Sequence, residues 1–139
     1  MENLVMTICA LALAAANSVQ AQASDLDPFV CATPLTPVVT LDHGSRYVAV
    51  DNSRSNFDKI SNADVDAQLK PIDAFISDLV EAANRAISSP ADRSAASECV
   101  LSALSDWARA NALSDLATMN ANLSAPARIG GLAFAYAQV

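Results

Sequence analysis

The sequence has 139 residues, room for one domain, and carries a formal net charge of −7 from 15 acidic and 8 basic side chains. That balance argues against nucleic acid, whose binding needs clustered Lys and Arg to displace counterions, and disfavours an anionic membrane surface. A polyanionic ligand stays open, because a local Arg or Lys cluster acts against the net charge.

Leu4 to Ala16 is an apolar run too short to span a bilayer comfortably. Small residues follow it at the spacing a signal peptidase reads, Val19-Gln20-Ala21 and Ala21-Gln22-Ala23. The expectation is a signal peptide over residues 1–23, cleaved after Ala23, and a periplasmic or secreted product with no stable membrane insertion. Removing it takes Cys9 and leaves Cys31 and Cys99. In an oxidising compartment that pair reads as a disulfide. Two isolated cysteines and a single His, His43, do not have the spacing of a metal site, and no cofactor is expected.

Residues 24–60 read as an irregular arm followed by a lid-like loop. Ser24 to Pro37 carries three prolines and no helical period. Val38 to Leu41 is a short apolar run without an evident strand partner, taken as extended coil. Asp42 to Asn56 is a polar loop holding His43, Arg46, Tyr47, Asp51, Ser53 and Arg54. Arginine matches carboxylate geometry through its planar fork.

Residues 61–139 read as the helical domain, of an all-α class favoured by abundant Ala and Leu and scarce Gly. Val65, Leu69, Ile72, Ile76, Leu79, Val80, Ala83 and Ile87 recur at helical spacing, predicting a helix from Ser61 to Ile87. Ser61 or Asn62 is its expected cap, and Pro71 should kink or restart it. A second helix starts near Asp92 or Ser94 and runs toward Leu113, forming an antiparallel hairpin with the first. Its two apolar stripes, one through Ala96, Val100 and Trp107 and one through Leu101, Ala108 and Ala112, predict a central helix. Ser114 to Ala121 reads as a loop, and Asn122-Leu123-Ser124 matches a glycosylation acceptor. A third helix is expected from Ser124-Ala125-Pro126, burying Ile129, Leu132, Ala133, Tyr136 and Val139. Its apolar face still runs at Val139 without a stop signal, so the sequence is expected to be the front part of a longer chain.

Three segments in this order resemble the alginate lyase family, the secreted poly(β-D-mannuronate) lyases. They are Cys31-Ala32-Thr33-Pro34; Ser45-Arg46-Tyr47 with Asp51-Asn52-Ser53-Arg54; and Cys99 to Leu113, with its Leu104-x-x-Trp107-Ala108-Arg109-Ala110 core. Arg128, Leu132-Ala133 and Ala135-Tyr136 are similar to the family's next helix.

The resemblance implies helical hairpins forming part of an incomplete α/α toroid, with a groove for an acidic polysaccharide, alginate. The implied reaction is β-elimination: the uronate carboxylate is neutralised, the C5 proton is removed, and the 4-O-glycosidic bond breaks as a double bond forms. Arg46, Tyr47 and Arg54 match residues that contact the substrate, although Arg54 suits a structural ion pair with Asp51 or Asp58 equally well. Cys31 and Cys99 match the family's disulfide, Trp107 a core position and Arg109 the groove wall. The family's neutralising Asn-His pair has no counterpart, since no Asn-His dipeptide occurs here, so no catalytic residue is assigned. A monomer is expected. The alternative is a non-catalytic secreted helical module that binds acidic polysaccharide.

Overall fold

A computed structural model describes residues 28–32 and 35–139. The expected signal peptide and its cleavage site lie outside the described residues. Within them the chain is mostly helical: β1 (Thr40–Leu41), α1 (Lys59–Ser88), α2 (Arg93–Arg109), β2 (Asp115–Leu116) and α3 (Met119–Ala137).

The 30-residue α1 buries Val65, Leu69, Ile72, Phe75, Leu79, Ala82, Ala83 and Ala86 along one stripe. Its cap is Asp58, whose side chain accepts from the Ser61 amide at 2.8 Å, so the helix opens one turn before the expected Ser61 or Asn62. Pro71 does not restart it. The ring lies on the exposed side of the helix, next to the exposed Ala67, whose freed carbonyl water can satisfy. At the other end Asp92 binds Arg85 and accepts from Ser89 Oγ at 2.9 Å, fixing the tight turn into α2.

The central helix is α1, not α2. Both α2 and α3 pack on α1 and barely meet one another. α2 buries only the Ala96, Val100, Trp107 stripe; Leu101 and Ala108 of the second stripe are exposed. That second stripe is made mostly of alanine, which is tolerated on either side of a helix and carries little apolar drive. The core is closed by Phe75 stacking on Trp107 and by Trp107 Nε1 donating to the Leu35 carbonyl at 3.3 Å.

Val38 to Leu41 is not free coil. β1 pairs in parallel with β2, Thr40 opposite Asp115 and Leu41 opposite Leu116. The partner strand was hidden in sequence because it is two residues long and follows a reversal through Asn111 and Leu113, both at positive φ (56° and 59°). The Cys31–Cys99 disulfide joins the arm to α2, with Cα atoms 5.7 Å apart.

α3 starts at Met119, capped by Thr118, whose Oγ1 accepts from the Ala121 amide at 3.1 Å. Ser124-Ala125-Pro126 is therefore inside the helix and not its start. The buried face is Ala121, Ala125 and Ala135, while Ile129 and Tyr136 of the expected face are at least half exposed. The contact with α1 is close: a Cβ on Gly131 would lie 3.0 Å from Ile76 Cγ2. Arg128 reaches Asp73 of α1 with two nitrogens, at 2.8 and 2.9 Å.

Candidate functional site

The loop from Asp42 to Asp58 folds into a short hairpin. Tyr47 and Phe57 form an antiparallel bridge, Val48 N donates to Asn56 O at 3.0 Å, and Asp58 N donates to Arg46 O at 2.9 Å. The two paired rings stack, with centroids 4.9 Å apart. Asp51 holds the turn: its carboxylate accepts from the amides of Ser53, Ser55 and Asn56 at 3.0, 2.9 and 2.7 Å, and from the Asn56 side chain at 3.0 Å. Hydrogen bonding from the Ser53 hydroxyl and the Asn56 amide holds the Asp51 carboxyl well below the usual carboxylate range. The Asp58 carboxyl is lowered in the same way, chiefly by the Ser61 amide.

Two anchors fix this hairpin to the helices. His43 is 6% exposed, with Nε2 2.8 Å from Ser124 Oγ and Nδ1 3.2 Å from the Gly44 carbonyl. The His43 carbonyl also accepts from Thr118 Oγ1 at 2.7 Å, so both contacts tie the loop to α3. On the other side, Arg46 Nη1 pairs with Asp66 and donates to Asn62 Oδ1 at 2.7 Å, both on α1.

Between the hairpin and the first turns of α1 lies an open groove of about 510 Å³. Ser45 and Tyr47 line it from the loop; Asp58, Ser61, Asp64 and Gln68 line it from the helix side, and His43 forms part of its wall. The mix of an aromatic ring, hydroxyls, an amide and carboxylates suits a polyhydroxylated ligand.

The structure separates the three residues singled out for substrate contact. Tyr47 lines the groove, whereas the Arg46 side chain lies against Asn62 and Asp66. Arg54 sits at the exposed turn, at positive φ (52°), on the far side of the Val48–Asn56 bond from the groove-side end of the hairpin. It forms no ion pair with Asp51 or Asp58, whose carboxylates are taken up by backbone amides. Arg109 pairs with Asp106 at 2.8 Å on the outer face of α2.

Several contributors went unread in the sequence. Asp51-x-Ser53-x-Ser55 carries the signature of an Asx turn and was legible as one. His43 and Ser124 are 81 residues apart and gave no signal of contact. The glycosylation pattern at Asn122 falls within α3, where the Asn122 side chain donates to the carbonyls of Leu116 and Thr118 at 3.1 and 2.8 Å. Among the described residues no helix is long and apolar enough to cross a membrane. No family model, curated protein or solved structure matches the chain.

Proposed function

We propose that this chain is the substrate-binding front portion of a secreted polysaccharide lyase that cleaves alginate by β-elimination. The observation that carries the reading is the groove itself, roofed by the very loop that bears Ser45-Arg46-Tyr47 and Asp51-x-Ser53-Arg54. The Cys31–Cys99 link, which joins the first and third resembling segments, supports it, as does the mostly helical body. On this reading the two helical hairpin partners α1 and α2 begin an incomplete α/α toroid, and export to the periplasm or beyond follows cleavage that leaves Ser24 at the amino terminus.

The chain's own part is binding. With no Asn-His pair in the sequence, none of its residues is assigned to carboxylate neutralisation or proton abstraction. Asp58 and Asp64 oppose a carboxylate inside the groove, so a uronate chain lies with its hydroxyl face on Tyr47, Ser61 and Gln68. Its carboxylates point outward, away from Asp58 and Asp64. Arg46 reaches a uronate only by leaving Asp66.

A second reading is favoured by that same acidic lining: a non-catalytic secreted module that takes a neutral stretch of polysaccharide. Heteronuclear NMR titration with oligomannuronate and with a neutral glucan oligosaccharide separates the two. Shifts at Tyr47, Ser61 and Gln68 with oligomannuronate support the lyase reading. Shifts there with the neutral sugar alone move the assignment to the second, and no response to either sugar overturns both.

A further inference from the structure

Phe57 is 61% exposed, although it stands directly before Asp58, the cap of α1. A large apolar residue at that position ordinarily packs on the fourth residue of the helix and fixes how the chain enters it. Here the fourth residue is Asn62, whose side chain is bonded to Arg46 and Asp66. The Phe57 ring lies on Tyr47 instead, with the two planes 20° from parallel.

The backbone sets up this meeting. Tyr47 and Phe57 oppose each other in the antiparallel bridge, and the inter-strand bonds fall on either side of them, Asp58 N to Arg46 O and Val48 N to Asn56 O. A pair placed between such bonds has the closest approach in an antiparallel ladder, about 4.5 Å between Cα atoms, and its side chains share one face. Tyr47 lines the groove and Phe57 does not. Among the described residues the Tyr47 hydroxyl has no hydrogen-bond partner, and it is open to solvent.

We propose that Phe57 is a positioning residue for saccharide binding: it covers one face of the Tyr47 ring and holds the other face for a sugar. The inference rests on the saccharide reading of the groove, in either of its two forms. An aromatic face is partly negative and attracts the C–H bonds of a pyranose, while the sugar's hydroxyls leave at its edge. Ser61 and Gln68 line the groove beside Tyr47 and can bond those hydroxyls, and the Tyr47 hydroxyl adds a donor. Stacking needs no charge, so it works next to Asp58 and Asp64, which oppose a carboxylate. A half-exposed ring on its own loses rotational freedom when a ligand orders it. A ring already backed by a second ring has less to lose, which strengthens binding without any new contact to the sugar.

Calorimetric titration of the disulfide-intact chain with oligomannuronate and with a neutral glucan oligosaccharide tests this. The variants are Phe57→Ala, Phe57→Tyr, Tyr47→Ala and the double variant Phe57→Ala/Tyr47→Ala. For the sugar that the wild type binds, Phe57→Ala should weaken binding about three- to tenfold, the worth of one aromatic pair. Its melting temperature should stay within about 2 °C, because the ring is mostly exposed. Phe57→Tyr should bind within about twofold of the wild type. Tyr47→Ala should lose at least as much as Phe57→Ala, and the double variant should lose nothing more than Tyr47→Ala. Unchanged binding in Phe57→Ala, binding lost together with the fold, or losses that add in the double variant overturns this inference alone. Binding of neither sugar by the wild type overturns the functional reading, and this inference with it.

Discussion

Phe75 of α1 and Trp107 of α2 stack with ring centroids 3.7 Å apart and planes within 1° of parallel. The pair is the hinge-pin of the helical hairpin and is almost wholly buried. Removing either ring leaves a cavity that neighbouring alanines cannot fill. Trp107→Ala should cost about 3–5 kcal/mol, read as a shift in the urea midpoint. Phe75→Leu, which keeps most of the volume, should cost less than half of that.

The disulfide encloses a 68-residue separation between Cys31 and Cys99. Chain entropy sets an upper figure of about 4 kcal/mol for its contribution. Cys31→Ser should therefore lower the melting temperature by roughly 10–20 °C, in line with a domain of this size. A shift under about 2 °C would mean that the Leu35 and β1 contacts hold the arm unaided.

Acid should loosen the loop before it unfolds the helices. Asp51 and Asp58 are held below their ordinary values, by Ser53 and Asn56 and by the Ser61 amide respectively, and Asp92 likewise, first by Ser89 and then by Arg85. A depressed folded-state pKa means that the stabilisation is complete above about pH 4 and is lost as pH falls through the folded values. Amide exchange at Ser53, Ser55 and Asn56 should rise, relative to its intrinsic rate, as pH drops below about 4, while Val100 and Trp107 stay protected. Equal loss at both places would refute the Asp51 turn as a separate unit.

Ser124 is the helix side of the buried His43 contact. Ser124→Ala leaves a buried ring nitrogen without its partner and should cost about 1–3 kcal/mol. The loop from Gly44 to Phe57 should show faster hydrogen exchange in that variant.

Adjacent glycines should respond oppositely. Gly130→Ala meets open space in mid-helix and should stabilise the fold by about 0.5–1 kcal/mol. Gly131→Ala presses its methyl against Ile76 at 3.0 Å and should destabilise. Chemical denaturation at low concentration measures both.

The helices were readable because α1 writes its period in large residues: Val65, Leu69, Ile72 and Leu79 admit one buried face. α3 writes its period in alanine, and alanine says little about which side faces in. The large residues there, Ile129, Phe134 and Tyr136, are the exposed ones, so the usual inference from size to burial inverted. Thr118 caps α3 from inside a stretch read as loop, and Pro126, the eighth residue of α3, is tolerated because it lies on the exposed side. The groove was half legible. Its roof is a compact run of polar residues, whereas its anchors at Ser124, Asn62 and Asp66 come from other helices, and a single sequence does not show which distant side chains meet.

The arm and α2 are fastened twice, by Cys31–Cys99 and by the β1–β2 pairing, and both fastenings span the whole of α1. The peptide linking α1 to α2 at Ser89-Pro90-Ala91 thus lies on a ring already closed elsewhere. A single protease cut there would leave two pieces joined covalently at the other end, with the Phe75–Trp107 stack still to hold them in register. The molecule should run as one species without reductant and as two with it, and new chain ends placed at that turn should leave the fold intact.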